Sequence, residues 1–382
     1  MTTTNENIDI NKVKSEMFSS NAIRLSGTEW LWTLGICLTV LIGLPLLGTA
    51  GEDFAPDADY RLPYRLGYDY HHFRRYSQWA ANQYEILMIG DSVLWGNYVT
   101  PNNTLTHYLN EQGGRQQFAN LAINGIHPIA LAGLIEYYGQ DITGKKVLLN
   151  FNPLWVSSAD ADLQTDKETR INHAGLIPQW DFSIACYKEP VEKRVEITLE
   201  RNIRLQQWTN HLQICYFDSM SLSQWSLKHP YQNPLASITL DILKPKNVPH
   251  DPPVPWNIKS VNPIELPWVD WETSLQWQFF RKAVKILQAR GNQVFVLVGP
   301  FNEHMLTSEN LIIYRQIQTG IENWLRINEI PYFMPIALSS EYYADASHPL
   351  AKGYSILSQQ LYNNSLFRTV ILNADSKISV KE

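Results

Sequence analysis

Short apolar runs alternate with segments of helical periodicity in two stretches of this chain, residues 85–155 and 290–362. Each run is four to six residues long and ends close to a Gly, Asn or Pro, as buried strands do. The segments between the runs have the length and spacing of helices. The predicted strands are residues 85–89, 117–121, 146–151, 293–298 and 331–334, and the predicted helices are residues 104–111, 129–138, 271–290, 310–327 and a segment after Pro349.

The clearest helix lies in residues 271–290, where Trp277, Phe280, Val284 and Leu287 recur every three or four positions on one face. Strands that are apolar along their whole length and alternate with helices are typical of a parallel sheet covered on both faces. The pattern therefore predicts an α/β fold, a three-layer sandwich with a parallel sheet.

Residues 156–270 interrupt this alternation. Seven prolines lie between positions 245 and 267, interleaved with Trp256 and Trp268, and that density excludes regular helix and central strand. Helical periodicity is present only around residues 191–212. We predict a long insertion between the third and fourth strands, which could form a lid over a site or a docking surface.

Residues 30–50 carry no charged side chain, and 21 helical residues at about 1.5 Å each span the ~30 Å hydrocarbon core of a bilayer. The run is longer than the apolar region of a secretory signal and 29 residues precede it, which favours an uncleaved transmembrane anchor. Small residues at 48–50 leave cleavage as an alternative, whereas Trp30 and Trp32 suit a membrane interface better than a buried core helix. The predicted organisation is an N-terminal tail (1–29), an anchor (30–50), a linker (51–84) and an α/β domain (85–382).

Charges beside the anchor set the expected orientation. Within about 20 residues of the anchor, three basic residues precede it and two follow it, which favours a cytoplasmic N-terminus. The α/β domain is then expected to be extracytoplasmic, either periplasmic or extracellular. The basic residues before the anchor are Lys12, Lys14 and Arg24, and those after it are Arg61 and Arg65.

Composition excludes several classes of function. Lys and Arg number 31 against 37 Asp and Glu, a net charge of −6, so the basic surface that nucleic acids require is missing. Three cysteines give no disulfide scaffold and no zinc-type spacing, although Cys186 and Cys215 could pair in an oxidising compartment, with Cys37 in the anchor. Adjacent His71 and His72 are interpreted as surface residues, because neighbours on a strand point to opposite faces and make poor joint ligands. No metal or nucleotide cofactor is predicted.

Two candidate catalytic motifs follow predicted strands. Residues 90–92 (Gly-Asp-Ser) follow the first strand, at the sheet edge where parallel α/β proteins carry their sites, so Ser92 is a candidate nucleophile. Residues 345–348 (Asp-Ala-Ser-His) follow the last strand, and a carboxylate three residues before a histidine can fix the imidazole tautomer for general-base work. Taken singly, Ser92 could be a helix cap, and Asp345 with His348 a surface pair.

Two further polar positions follow the second and third strands. Gly125 can expose a backbone N–H in a turn, and Asn152 offers a side-chain amide; both are donors of the kind that stabilise an oxyanion, although both residue types are also common in turns. Trp95 and His304 are weaker candidates for the wall of a substrate cleft, with ordinary packing or a surface loop as the alternative.

The order Ser, Gly, Asn and Asp-x-x-His, each after a strand, resembles the SGNH (GDSL) hydrolase superfamily, which is named for those four residue types. The resemblance implies that Ser92 is the nucleophile, His348 the base and Asp345 the acid that orients it. It also implies an oxyanion hole formed by the backbone N–H of Ser92, Gly125 and Asn152.

The resemblance covers residues 85–155 and 290–362, and the insertion matches nothing in the superfamily. Its third block is usually Gly-x-Asn-Asp, whereas residues 150–153 here are Asn-Phe-Asn-Pro. The amide is kept and its neighbours are changed.

The resemblance implies a membrane-anchored serine acyl-transfer enzyme without a cofactor. It would be an esterase with water as acceptor, or an O-acyltransferase with a hydroxyl of an extracytoplasmic glycan or lipid. A weaker, architectural likeness connects it to SGNH-like proteins that O-acetylate exported polysaccharides, such as those of the alginate system. The alternative is a catalytically silent SGNH-like scaffold that binds polysaccharide or a membrane-protein partner, which the altered third block and the aromatic-rich insertion favour.

Overall fold

The computed structural model describes residues 25–181 and 183–373. The chain divides into two compact units, Met1–Gly51 and Glu52–Glu382. Lys12, Lys14 and Arg24, on which the expected orientation depends, lie outside the described residues.

The first unit contains helix α1 (Gly27–Gly51), which includes the uncharged run. Ser26 starts the helix with a capping box: its hydroxyl accepts from the Glu29 N–H, and the Glu29 carboxylate accepts from the Ser26 N–H. Its large apolar side chains are exposed, as Leu31 is at 71% and Leu47 at 73%. The 25-residue helix is therefore confirmed as long and apolar enough to span a membrane.

The second unit contains a five-stranded sheet with the order β2-β1-β3-β4-β5, and every strand pair is parallel. In β1, Met88 lies opposite Asn120 on one side and Leu148 on the other. The prediction of an α/β domain with a parallel sheet is confirmed. The strands are β1 (Ile86–Ile89), β2 (Phe118–Asn120), β3 (Lys146–Phe151), β4 (Gln293–Val298) and β5 (Tyr332–Phe333).

Successive side chains of each strand enter two separate hydrophobic clusters, because neighbouring strand residues point to opposite faces. Leu87 and Ile89 belong to the larger cluster, and Ile86 and Met88 to the smaller. Helices flank the sheet and complete both clusters. The larger cluster takes side chains from α2 (Tyr70–Gln83), α5 (Pro128–Tyr137), α10 (Leu275–Ala289) and α11 (Ser308–Ile327), and the smaller from α3 (Ser92–Trp95), α4 (Leu105–Gly113), α12 (Ala351–Asn363) and α13 (Ser365–Val370).

The segment expected to be a linker, residues 51–84, contains α2, seven of whose side chains are buried. Asp69 caps this helix and accepts a hydrogen bond from the backbone N–H of His72 at 2.9 Å. His72 is therefore helical and 2% exposed, and the interpretation of it as a surface residue on a strand is wrong. The alternating aromatic and charged residues of this segment conceal a helix with one buried face.

In the insertion between β3 and β4, helices begin at Val191, and the proline-rich segment follows them. The helix predicted at residues 191–212 is present as two, separated at Ile203, where the backbone is extended. Cys186 and Cys215 are buried free thiols, so the disulfide considered above is not formed. The helices are α6 (Val191–Asn202), α7 (Arg204–Tyr216), α8 (Leu222–Lys228) and α9 (Pro234–Ser237).

The strand order reverses between β1 and β3. The loops that follow these two strands leave the sheet next to each other, and a crevice is expected between them. Gly90 is required at this point, because a Cβ there would lie 2.8 Å from the Cβ of Asn150. Such a crevice at the carboxyl ends of parallel strands is the usual position of a ligand site in open α/β sheets.

Candidate active site

Ser92 is the first residue of α3, directly beyond β1, and is 9% exposed. Asp91 caps the helix, and its side chain accepts from the backbone N–H of Val93 at 2.9 Å. The turn ends at Gly96, whose φ of +87° is in the left-handed region that favours glycine. The resulting tight turn holds the Ser92 hydroxyl at the carboxyl end of the sheet.

His348 connects Ser92 to Asp345. Its Nε2 lies 2.8 Å from the Ser92 Oγ. Its Nδ1 lies 2.8 and 2.9 Å from the two carboxylate oxygens of Asp345. The three residues that the sequence singled out as nucleophile, base and acid thus form one hydrogen-bonded chain, although 256 positions separate Ser92 from His348.

Charges around His348 oppose the effect of its burial. Burial lowers the pKa of His348, but its hydrogen bond with Asp345 and the nearby negative charges raise the pKa above its usual value. Burial raises the pKa of the Asp345 carboxyl, yet its bonds with His348 lower that pKa to about 2. The carboxyl is therefore ionised at neutral pH and stabilises the protonated imidazole.

Backbone N–H groups hold the loop that carries Asp345 and His348. The Asp345 Oδ1 accepts from the N–H groups of Ser347 and His348, each at 3.0 Å. After β4, the Asn302 N–H donates to the carbonyl of Ala346 at 2.8 Å. These bonds fix the carboxylate beside the imidazole before any substrate binds.

The proline-rich segment of the insertion contacts both sides of this centre. The N–H groups of His250 and Asp251 donate to the carbonyl of Asn97 at 3.0 and 3.3 Å, and the Asn97 amide donates to the Asp251 carboxylate at 2.7 Å. Beside the histidine loop, the ammonium group of Lys259 donates to the carbonyl of Ala344 at 2.7 Å. The charge of Asp251 also contributes to the raised pKa of His348.

The side-chain amide of Asn152 links the turn that carries Ser92 to the loop that carries His348. Its Nδ2 donates to the Asp91 Oδ2 at 2.9 Å and to the Ser347 Oγ at 3.3 Å, and its Oδ1 accepts from the Leu154 N–H at 3.1 Å. The Trp155 Nε1 donates to the same Asp91 oxygen at 3.0 Å. Asn152 is thus in the site, with a protein partner for each of its two amide hydrogens.

Gly125 lies in the loop that continues from β2 toward the same edge. Within that loop the Ile123 N–H donates to the carbonyl of Gly90 at 3.1 Å, and Gly125 has a φ of +75°. In the described part of the chain, the backbone N–H groups of Ser92 and Gly125 have no hydrogen-bond acceptor.

Trp95 and His304 do not join the Ser92 centre. Trp95 is 3% exposed and packs in the smaller cluster, where the Arg61 guanidinium lies 4.1 Å from its ring centroid. Its Nε1 donates to the carbonyl of Leu62 at 2.7 Å. His304 is exposed on a short turn, with its Nε2 3.0 Å from the carbonyl of Leu338. Trp95 is thus packed beside a cavity that it lines with Tyr64 and His250, and His304 lies on a surface loop.

The sequence analysis assigned no role to several polar residues of the site, among them Asp91, Trp155 and Asp251. Asp91 stands inside the Gly-Asp-Ser motif, so its proximity to Ser92 was predictable although its bond to Asn152 was not. Trp155 is three residues beyond Asn152, where a turn brings the indole back. Asp251 comes from the insertion, and no pattern in the sequence connects it to the sheet edge.

Neither a family model nor a curated protein sequence matches this chain.

Proposed function

We propose that this protein is a serine-dependent acyl-transfer enzyme of the SGNH (GDSL) type, with a three-layer α/β sandwich of that superfamily. One observation carries the proposal: Ser92, His348 and Asp345 form a hydrogen-bonded chain, with 2.8 Å at each imidazole nitrogen. The strand order supports it, because sites in such sheets lie where the order reverses. Here that point is between β1 and β3, which Ser92 and Asn152 follow.

The proposed substrate is an ester. The His348 Nε2 takes the hydroxyl proton as the Ser92 Oγ attacks the acyl carbon, and Asp345 stabilises the imidazolium through the Nδ1–H. When the tetrahedral intermediate collapses, the imidazolium returns the proton to the departing alkoxide and the acyl group stays on Ser92. An acceptor hydroxyl or water, deprotonated by His348, then takes the acyl group and restores the serine.

The proposed oxyanion hole consists of the Ser92 and Gly125 N–H groups and the Asn152 amide. The amide must turn one hydrogen from the Ser347 hydroxyl to the oxyanion; at 3.3 Å this is the longer of its two bonds. Asp91 keeps the other hydrogen and so orients the amide. Bonds of this kind often tighten only when a substrate is bound.

Hydrolysis and transfer use the same catalytic residues, so they differ in access of water to the acyl-enzyme. Ser92 is 9% exposed and the side chain of His348 is 13% exposed. The insertion contacts the site at Asn97 and Ala344. These features favour an acceptor that binds against the insertion, and an extracytoplasmic glycan or lipid hydroxyl is the proposed acceptor.

Fluorophosphonate labelling tests the proposal. A serine activated by a histidine displaces fluoride from the probe and keeps the phosphonyl group on its Oγ. We expect the folded full chain to be labelled, with the adduct on the Ser92 peptide by mass spectrometry. A folded chain that stays unlabelled would support the scaffold alternative, in which the site binds polysaccharide or a membrane partner without catalysis.

Asn152→Ala is expected to lower kcat by ~10²–10³, about 2.7–4 kcal/mol of transition-state stabilisation, with little change in KM. The reason is that the amide would bind the oxygen only once it carries negative charge. Ser347→Ala is the matched control: it removes the other partner of the amide without removing an oxyanion donor, so kcat should stay within a few-fold of wild type. Wild-type kcat in folded Asn152→Ala would exclude Asn152 from the oxyanion hole.

For localisation, we propose a single-pass anchor at residues 30–50 with the catalytic domain outside the cytoplasm. The full chain is expected to partition with membranes. A tag after residue 382 should be cleaved by protease added from the extracytoplasmic side and protected in sealed vesicles of the opposite orientation. Cleavage from the cytoplasmic side alone would reverse the proposed topology.

A further inference from the structure

A second cluster of ionisable side chains lies outside the Ser92 site, between α2 and α7. The ligand atoms of Asp69, His72 and His211 all lie within 4.8 Å of one another, and the residues are only 1%, 2% and 2% exposed. Nothing in the acyl-transfer mechanism uses these residues. Buried groups of this kind are stable only when they are paired or when they hold an ion.

Cys215 lies beside two members of this cluster. Its Sγ lies 3.5 Å from the Asp69 Oδ2 and 3.5 Å from the His211 Nδ1. The Asp69 Oδ2 and the His211 Nδ1 are themselves 2.6 Å apart. The thiol is therefore in contact with the Asp69–His211 pair, and the His72 Nε2 on the other side of Asp69 lies 2.9 Å from the Tyr60 hydroxyl.

The secondary structure explains this proximity. Asp69 caps α2 and His72 is in its first turn, so the two side chains share one end of that helix. His211 and Cys215 are four residues apart on α7, which aligns their side chains on one face. The two helices pack against each other, and the donors lie where they meet.

We propose that Asp69, His72, His211 and Cys215 form a binding site for one divalent transition-metal ion, with zinc as the best fit. Zinc takes oxygen, nitrogen and sulfur ligands in tetrahedral sites at about 2.0–2.3 Å, which sets the ligands about 3.3–3.8 Å apart. The two distances from the Cys215 sulfur have this value. The Asp69 and His211 atoms would move apart as the ion enters between them.

The surroundings of the cluster suit such an ion. The His211 Nε2 lies 2.6 Å from the Glu52 Oε1, as in sites where a ligating histidine donates its second ring N–H to a carboxylate. With Cys215 ionised on binding and its proton released, the carboxylate and the thiolate balance a doubly charged ion. Arg75 pairs with Glu52, so the charge around the site is balanced as well.

A metal at this position would cross-link two parts of the domain. Glu52, which supports His211, is the first residue of the second unit, and α2 belongs to the sheet's larger cluster. Helix α7 belongs to the insertion. The ion would therefore fasten the insertion to the sheet, a structural role that is independent of acyl transfer.

The test uses the full chain, purified in detergent, stripped with a chelator and then supplied with zinc or cobalt(II) chloride. We expect one zinc ion per chain by elemental analysis and a Tm that rises by several degrees on adding zinc. With cobalt(II), thiolate ligation should give a near-ultraviolet charge-transfer band. That band should be lost in Cys215→Ser and kept in Cys186→Ser, which replaces the other buried thiol.

The wild-type protein alone tests whether the site binds zinc, even if the Cys215 variant does not fold. Folded wild-type chain that retains no zinc above background, with an unchanged Tm, would overturn the proposal and leave a hydrogen-bonded network of His211 with two carboxylates. Zinc binding with a cobalt band that survives in folded Cys215→Ser would overturn the assigned ligand set.

Discussion

Replacing Ser92 with alanine is expected to abolish fluorophosphonate labelling and to lower kcat for ester turnover by about 10⁶-fold. Without the Oγ no acyl-enzyme can form, and only binding and the oxyanion donors remain to favour direct attack by water. The Tm should be nearly unchanged, because the substitution removes only the hydrogen bond between the Ser92 Oγ and His348. The serine side chain also contributes little apolar area to the core.

Ser347→Ala provides the comparison, since it removes a second buried hydroxyl from the same site. That variant should keep the label and most of the turnover. Purified Ser92→Ala protein that still hydrolyses esters at the wild-type rate would show that another residue is the nucleophile. The measurement is kcat on a small activated ester, together with the mass of the labelled protein.

Central strands were the most predictable part of the fold. The bounds predicted for β3 and β4, Lys146–Phe151 and Gln293–Val298, are those observed, because each strand is buried on both faces and reads as one apolar run. The edge strand β5 is shorter than the predicted 331–334, since it pairs only with Val296 and Leu297. The length of an edge strand depends on how far it pairs with its neighbour, and the amino-acid composition does not show this.

Helices outside the regular alternation were harder to predict. Periodicity continues through Ile203, so it cannot reveal that the backbone becomes extended there and starts a second helix. In α2, aromatic and charged residues alternate closely and hide the buried face, which is recognisable only once Asp69 is seen to cap the helix. Both cases are decided by backbone geometry rather than by hydrophobic pattern.

The candidate site was predictable where it depends on strand ends. Parallel strands align their carboxyl ends, so residues that follow β1 and β3 must meet, as Asp91 and Asn152 do at 2.9 Å. The role of the insertion was not predictable. Asp251 reaches the site through a bond to the Asn97 side chain, and this contact joins residues 154 positions apart, neither of which ends a strand.

Asp345→Asn is expected to lower kcat by about 10⁴-fold while the protein stays folded. The asparagine Oδ1 can still accept the N–H groups of Ser347 and His348 that Asp345 accepts at 3.0 Å, so the loop keeps its shape. Its NH₂ group, however, is a donor toward the His348 Nδ1. The imidazole must then carry its proton on Nε2, where it can no longer accept the proton of Ser92.

The pH dependence separates this electrostatic role from a structural one. The charge of Asp345 is among the causes that raise the pKa of His348, so removing it lowers that pKa. The base form then persists to lower pH, and the acid limb of the kcat/KM profile should move down. Asp251→Asn is the matched control: it also removes a charge that raises this pKa but leaves the tautomer alone, so the limb should move in the same direction with kcat close to wild type. A folded Asp345→Asn protein with an unshifted limb and less than tenfold loss of kcat would remove Asp345 from the triad, because neither the tautomer nor the charge of His348 would then depend on it.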